Sequence, residues 1–128
     1  MSNKENKILV VDDSTTNIVL LEAVLNEKGY TIQTALNAKE AYALIEKDPP
    51  DVILLDLLMP RISGFDFLKE IRSKETTKHI PVIVVSAVTD EENIEKILAM
   101  GATDYIKKPI DLQYLVEKVE SLLHNNVI

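Results

Sequence analysis

The stretch Asp51-Val52-Ile53-Leu54-Leu55-Asp56 decides the fold. Four consecutive apolar residues, with none of the polar alternation of a sheet that faces water, describe a strand buried on both faces. Two other runs read the same way, Ile8 to Val11 and Val82 to Val85. Thr31 to Ala35 alternates and reads as an edge strand, and Tyr105-Ile106 is a short fifth strand.

Between these runs the apolar residues change to helical spacing. Ile18, Leu21 and Leu25 share a face, as do Ala41, Leu44 and Ile45, and Gly64, Phe67, Leu68 and Ile71. Ile94, Ile97 and Leu98 form a fourth stripe. The last stripe runs through Leu112, Leu115, Val116, Val119, Leu122 and Leu123. Capping signals agree: Asn37 with Glu40, Thr89 with Glu92, and Asp111 ahead of the last stripe. Gly29 and Gly101 fall where helix ends require a left-handed residue. The pattern is β-α repeated five times, which predicts an α/β fold with an open, doubly wound parallel sheet and helices on both faces. Ligands of such sheets bind beyond the carboxyl ends of the strands.

Composition narrows the function. The chain has 128 residues, no cysteine and a formal net charge of -7. The length predicts a single domain, 1–128, with its core at about 7–123. Disulfides, thiolate metal sites and cysteine nucleophiles are excluded. The acidic balance argues against direct nucleic-acid binding, and no apolar stretch approaches a membrane span. Met1 to Lys7 lacks the apolar segment of a signal peptide, so the expected location is the cytoplasm.

Chemistry-bearing residues follow the strands. Asp12-Asp13 follow the first, Asp56 the third, Ser86 the fourth and Lys108-Pro109 the fifth. Taken singly, each has an ordinary structural reading: a cap, a turn, a satisfied hydroxyl, a solvated lysine. Parallel strands bring all of them to one edge, and recurrence at four strand ends outweighs coincidence. Two carboxylates ~4 Å apart at an effective dielectric of ~20 repel by about 4 kcal/mol. Lys108 supplies one compensating charge, and a divalent cation would supply the rest. Oxygen-only ligands point to magnesium before calcium. A carboxylate beside a metal, a hydroxyl and a lysine is suited to accept a phosphoryl group.

The pieces ILVVDDS, DVILLDLLMPRISGFDFL, PVIVVSA and GATDYIKKP together resemble the receiver domain of bacterial two-component response regulators, over about Lys7 to Leu123. The resemblance implies a flavodoxin-like sheet of strand order 2-1-3-4-5. It implies that Asp56 is the phosphorylated aspartate and that Asp12, Asp13, Asp56 and the backbone carbonyl of Leu58 surround Mg2+. Ser86 and Lys108 would contact the phosphoryl group, and Ser86 and Tyr105 would report its presence. The Lys108–Pro109 peptide would be cis, aiming the lysine inward. The small Ala87 would leave the acceptor accessible. Ser86 replaces the commoner threonine but keeps the hydroxyl. Leu58 and Val88 are apolar where polar residues can place a hydrolytic water, which implies slow dephosphorylation.

The implied partners are a sensor histidine kinase or histidine phosphotransfer protein as donor, and a downstream protein or linked output domain on the face around 90–123. The implied protein catalyses its own phosphorylation and dephosphorylation without being a turnover enzyme. It is either a stand-alone receiver or part of a larger regulator or hybrid kinase. Three other readings are weaker. A flavodoxin-like small-molecule binder lacks a phosphate-cradling loop after the first strand. A purely interacting receiver would not need all five site groups. An aspartyl hydrolase needs an acid two residues after the nucleophile, where this chain has Leu58.

Overall fold

The computed structural model describes residues 6–56, 64–86 and 91–124, without the side chain of His124. Five strands and five helices alternate along the chain. They are β1 (Lys7–Val11), α1 (Thr15–Glu27), β2 (Thr31–Ala35), α2 (Ala38–Lys47), β3 (Val52–Asp56), α3 (Gly64–Ser73), β4 (Val82–Ser86), α4 (Glu91–Ala99), β5 (Asp104–Lys107) and α5 (Leu112–His124). The sheet is wholly parallel in the order β2-β1-β3-β4-β5, as the resemblance implies.

The unbroken apolar runs have a simple physical cause. Each strand residue projects to one face or the other, and both faces are covered. Leu9, Val11, Ile53, Leu55, Val82 and Val84 pack with α2, α3 and α4. Their neighbours Ile8, Val10, Val52, Leu54, Ile83 and Val85 pack with α1 and α5. All five positions of β3 and of β4 are buried. β2 and β5 lie at the sheet edges and are only partly covered.

Helix ends follow their local signals. Asn37 Oδ1 accepts from the Glu40 N–H at 2.9 Å, while Glu40 Oε1 accepts from the Leu36 N–H at 2.8 Å. The capping pair therefore closes one residue further out than the standard box. Asp111 Oδ1 accepts from the Tyr114 N–H at 3.2 Å. Thr89, the cap expected for α4, lies outside the described residues.

The α4 stripe is narrower than its spacing predicts. Ile97 is buried, but Ile94 is half-buried and Leu98 is 42% exposed. The helix stands over β5, an edge strand, so there is too little sheet beneath it to cover a wide face. No helix among the described residues is long and apolar enough to cross a membrane.

Candidate phosphoacceptor site

The site begins with the register of the strands. β1 ends at Val11, and the Asp12 N–H then donates to the Ala35 carbonyl at 3.0 Å, so Asp12 starts where the sheet stops. Asp56 is the last residue of β3 and pairs with Val85; Ser86, the next residue, ends β4 and pairs with Lys107. Parallel register thus brings three strand ends level at one edge. Asp12 and Asp56 are 4% and 5% exposed and Ser86 is fully buried, whereas Asp13 is exposed.

Asp12, Asp13 and Asp56 each present a carboxylate oxygen to a common point, with all three oxygens within 4.8 Å of one another. Lys108 reaches the same point. Its Nζ lies 3.5 Å from Asp56 Oδ2 and 3.9 Å from Asp12 Oδ2. With the three acids ionised, the one ammonium that meets them among the described residues balances one of three negative charges in a partly buried place. A hard divalent cation matches both that charge and the all-oxygen donor set.

The other side of the site is organised around one carbonyl. The Ser86 carbonyl accepts from the Lys108 N–H at 2.8 Å and from the Tyr105 hydroxyl at 3.2 Å. The Lys108–Pro109 peptide is cis. Burial pushes the Tyr105 phenol above its ordinary pKa, partly offset by its hydrogen bond to Ser86. Leu58, Ala87 and Val88 lie outside the described residues.

Sequence reading missed two partners of Asp12. Ser14 caps α1, its Oγ accepting from the Asn17 N–H at 3.3 Å, and the Ser14 N–H donates to Asp12 Oδ1 at 2.9 Å. Asn17 Nδ2 lies 3.4 Å from Asp12 Oδ2. A serine directly after the acid pair was the available sign of the cap; nothing in the sequence singled out Asn17.

The chain matches the family described as "Response regulator receiver domain" over residues 8–120. It belongs to the response regulator receiver family. The response regulator PleD of Caulobacter vibrioides is 40% identical over 116 residues, which span 91% of this chain but only 26% of PleD. The protein PilH of Pseudomonas aeruginosa is 34% identical, over 91% of this chain and 97% of its own. This receiver domain therefore spans about a quarter of one relative and nearly all of another. Among solved structures, a two-component response regulator from Clostridium difficile superposes with a TM-score of 0.90 at 30% identity, covering 97% of this chain and 100% of that one. The chemotaxis protein CheY4 of Vibrio cholerae gives 0.87 at 31% identity, covering 93% and 99%.

Proposed function

We propose that Asp56 accepts a phosphoryl group from a phosphohistidine on a sensor kinase or phosphotransfer protein. The observation that carries this reading is the meeting of Asp12, Asp13 and Asp56 at one point, with Lys108 Nζ bridging Asp56 and Asp12. A carboxylate oxygen of Asp56 forms the new P–O bond as the donor P–N bond breaks, and the released imidazole nitrogen takes up a proton. Lys108 stands where it can neutralise a phosphoryl oxygen on Asp56, and Ser86 stands at the adjoining strand end to donate a hydrogen bond.

Magnesium fits the carboxylate set; held by Asp12, Asp13 and Asp56, it would neutralise charge on the phosphoryl oxygens. The resemblance adds the Leu58 carbonyl to its ligands.

Phosphorylation adds roughly -1.5 to -2 charges at pH 7. That charge shifts a conformational equilibrium only through contacts that differ between the states. Lys108 and Ser86 are those contacts in this reading. Tyr105, bonded to the Ser86 carbonyl, connects them to the surface. The readout face is the one around 90–123, where Ile94, Leu98, Tyr105, Pro109 and Tyr114 line a shallow depression of ≈ 470 Å³. A downstream protein or linked output domain docks there. Under this reading the protein works in the cytoplasm, where kinases charged by ATP supply the donor.

Incubation with acetyl phosphate and magnesium, followed by intact mass measurement, tests the acceptor. One phosphoryl group adds to the wild type and none to Asp56→Asn. No addition to the wild type, or equal addition to both, overturns the reading.

A further inference from the structure

Asp12 is held at both of its oxygens. Oδ1 accepts from the Ser14 N–H at 2.9 Å, and Oδ2 faces Asn17 Nδ2 at 3.4 Å and Lys108 Nζ at 3.9 Å. The first partner is backbone and survives any substitution at Ser14 that keeps the turn. The third is a charge shared with Asp56. Asn17 is therefore the neutral side chain that orients Oδ2 within the acid cluster.

The position of Asn17 strengthens the assignment. It occupies the first turn of α1, three residues after the cap, and is half-buried. Asparagine is a poor helix former, and on a solvated helix face it would carry no compensation. Here its side chain turns back toward the strand end. The amide must present nitrogen rather than oxygen to Asp12, because a carboxylate only accepts.

We propose that Asn17 is a positioning residue for Asp12, fixing Oδ2 for a divalent cation without itself neutralising the cluster. A lysine at the same place would hold the carboxylate equally well but cancel the charge that attracts the ion. The amide gives orientation alone. This inference rests on the reading of the carboxylate triad as a magnesium site.

The test is calorimetric titration of the metal-free protein with MgCl2, for wild type, Asn17→Leu and Asn17→Gln. Leucine is close to asparagine in size, cannot donate, and favours helix more strongly. Asn17→Leu therefore melts, without metal, no lower than the wild type, yet binds magnesium about tenfold more weakly, the lower end for partners of metal ligands. Asn17→Gln keeps a donor on a longer arm and loses less. A purely structural role would move melting and affinity together. If wild type binds magnesium and Asn17→Leu binds it within about twofold, the positioning role fails while the site reading stands. Equal losses in both variants also overturn it, since they assign the effect to shape rather than donation. If the wild type binds no magnesium, both readings fail together.

Discussion

At the amino-terminal edge of the sheet, Lys7 gives its ammonium to Asp48 and its backbone N–H to Asp51 Oδ2 at 2.8 Å. Nearby, the Arg72 guanidinium donates to the carbonyls of Ile80 at 2.7 Å, Gly101 at 2.8 Å and Lys78 at 3.1 Å. These bonds tie the end of α3 to the segments that lead into β4 and β5. At the carboxyl-terminal edge, three carboxylates converge and share Lys108. At the first edge Lys7, Asp48, Asp51 and Arg72 each have a bonded partner, and at the other, among the described residues, three carboxylates meet one ammonium. On the proposed reading, a local mismatch of this kind, within a fold consistent elsewhere, is stability given up for function.

The largest expected effect tests the matched edge. Arg72→Ala strips a partly buried guanidinium from three carbonyls and lowers unfolding free energy by about 3 kcal/mol. Gly101 depends on the same latch. Its φ is +113°, and a Cβ there would lie 2.8 Å from Arg72 Cγ, whose side chain the three bonds hold in place. Gly29, with φ +96°, has open space around its Cβ position. Gly101→Ala therefore destabilises by roughly 2–3 kcal/mol, and Gly29→Ala by about 1 kcal/mol. Denaturant titration of the variants checks the order. Equal costs at the two glycines would show that Arg72 yields, and that the edge is less firmly latched than its bonds imply.

Next in size is the removal of a cation from each edge. Lys108→Met removes the ammonium that, among the described residues, meets the three carboxylates, and lowers the stability of the metal-free protein by about 2 kcal/mol. Lys7→Met removes a single half-buried ion pair and costs about 1 kcal/mol. Saturating magnesium recovers part of the first loss and none of the second. Chemical denaturation with and without MgCl2 measures both. Recovery in Lys7→Met would break the contrast between the edges.

The two edges also differed in how far the sequence disclosed them. The carboxyl edge was legible because its chemistry resides in side chains at strand ends, and strand ends can be located from buried apolar runs. Val52 to Leu55 followed by Asp56 is enough to place that acid. The order of the strands was not legible from those runs and came from the family resemblance. Arg72 left no trace in the pattern, because its partners are backbone carbonyls, which every residue carries. Asn17 escaped for a related reason. A single amide acquires meaning only from the oxygen it faces, and that oxygen belongs to a residue outside its helix. The α4 stripe misled because spacing reports which residues share a face, not how much sheet lies beneath them.

The smallest effects carry the contrast in their sign. Asp56→Asn removes one of three mutually repelling acids and raises the stability of the metal-free protein by about 1 kcal/mol. Asp48→Asn breaks the half-buried ion pair with Lys7 and lowers stability by about 0.5 kcal/mol. Added salt should separate the two further. The Debye length falls from about 10 Å at 0.1 M to about 3 Å at 1 M, so the half-buried pair loses part of its worth and the Asp48→Asn deficit shrinks. Asp56 is buried and screened far less, so most of the Asp56→Asn gain persists at 1 M NaCl. Urea denaturation of wild type and both variants at the two salt concentrations reads this directly. A loss of stability in metal-free Asp56→Asn would mean that the Lys108 contacts outweigh the repulsion, and that the carboxyl edge is as well matched as the other.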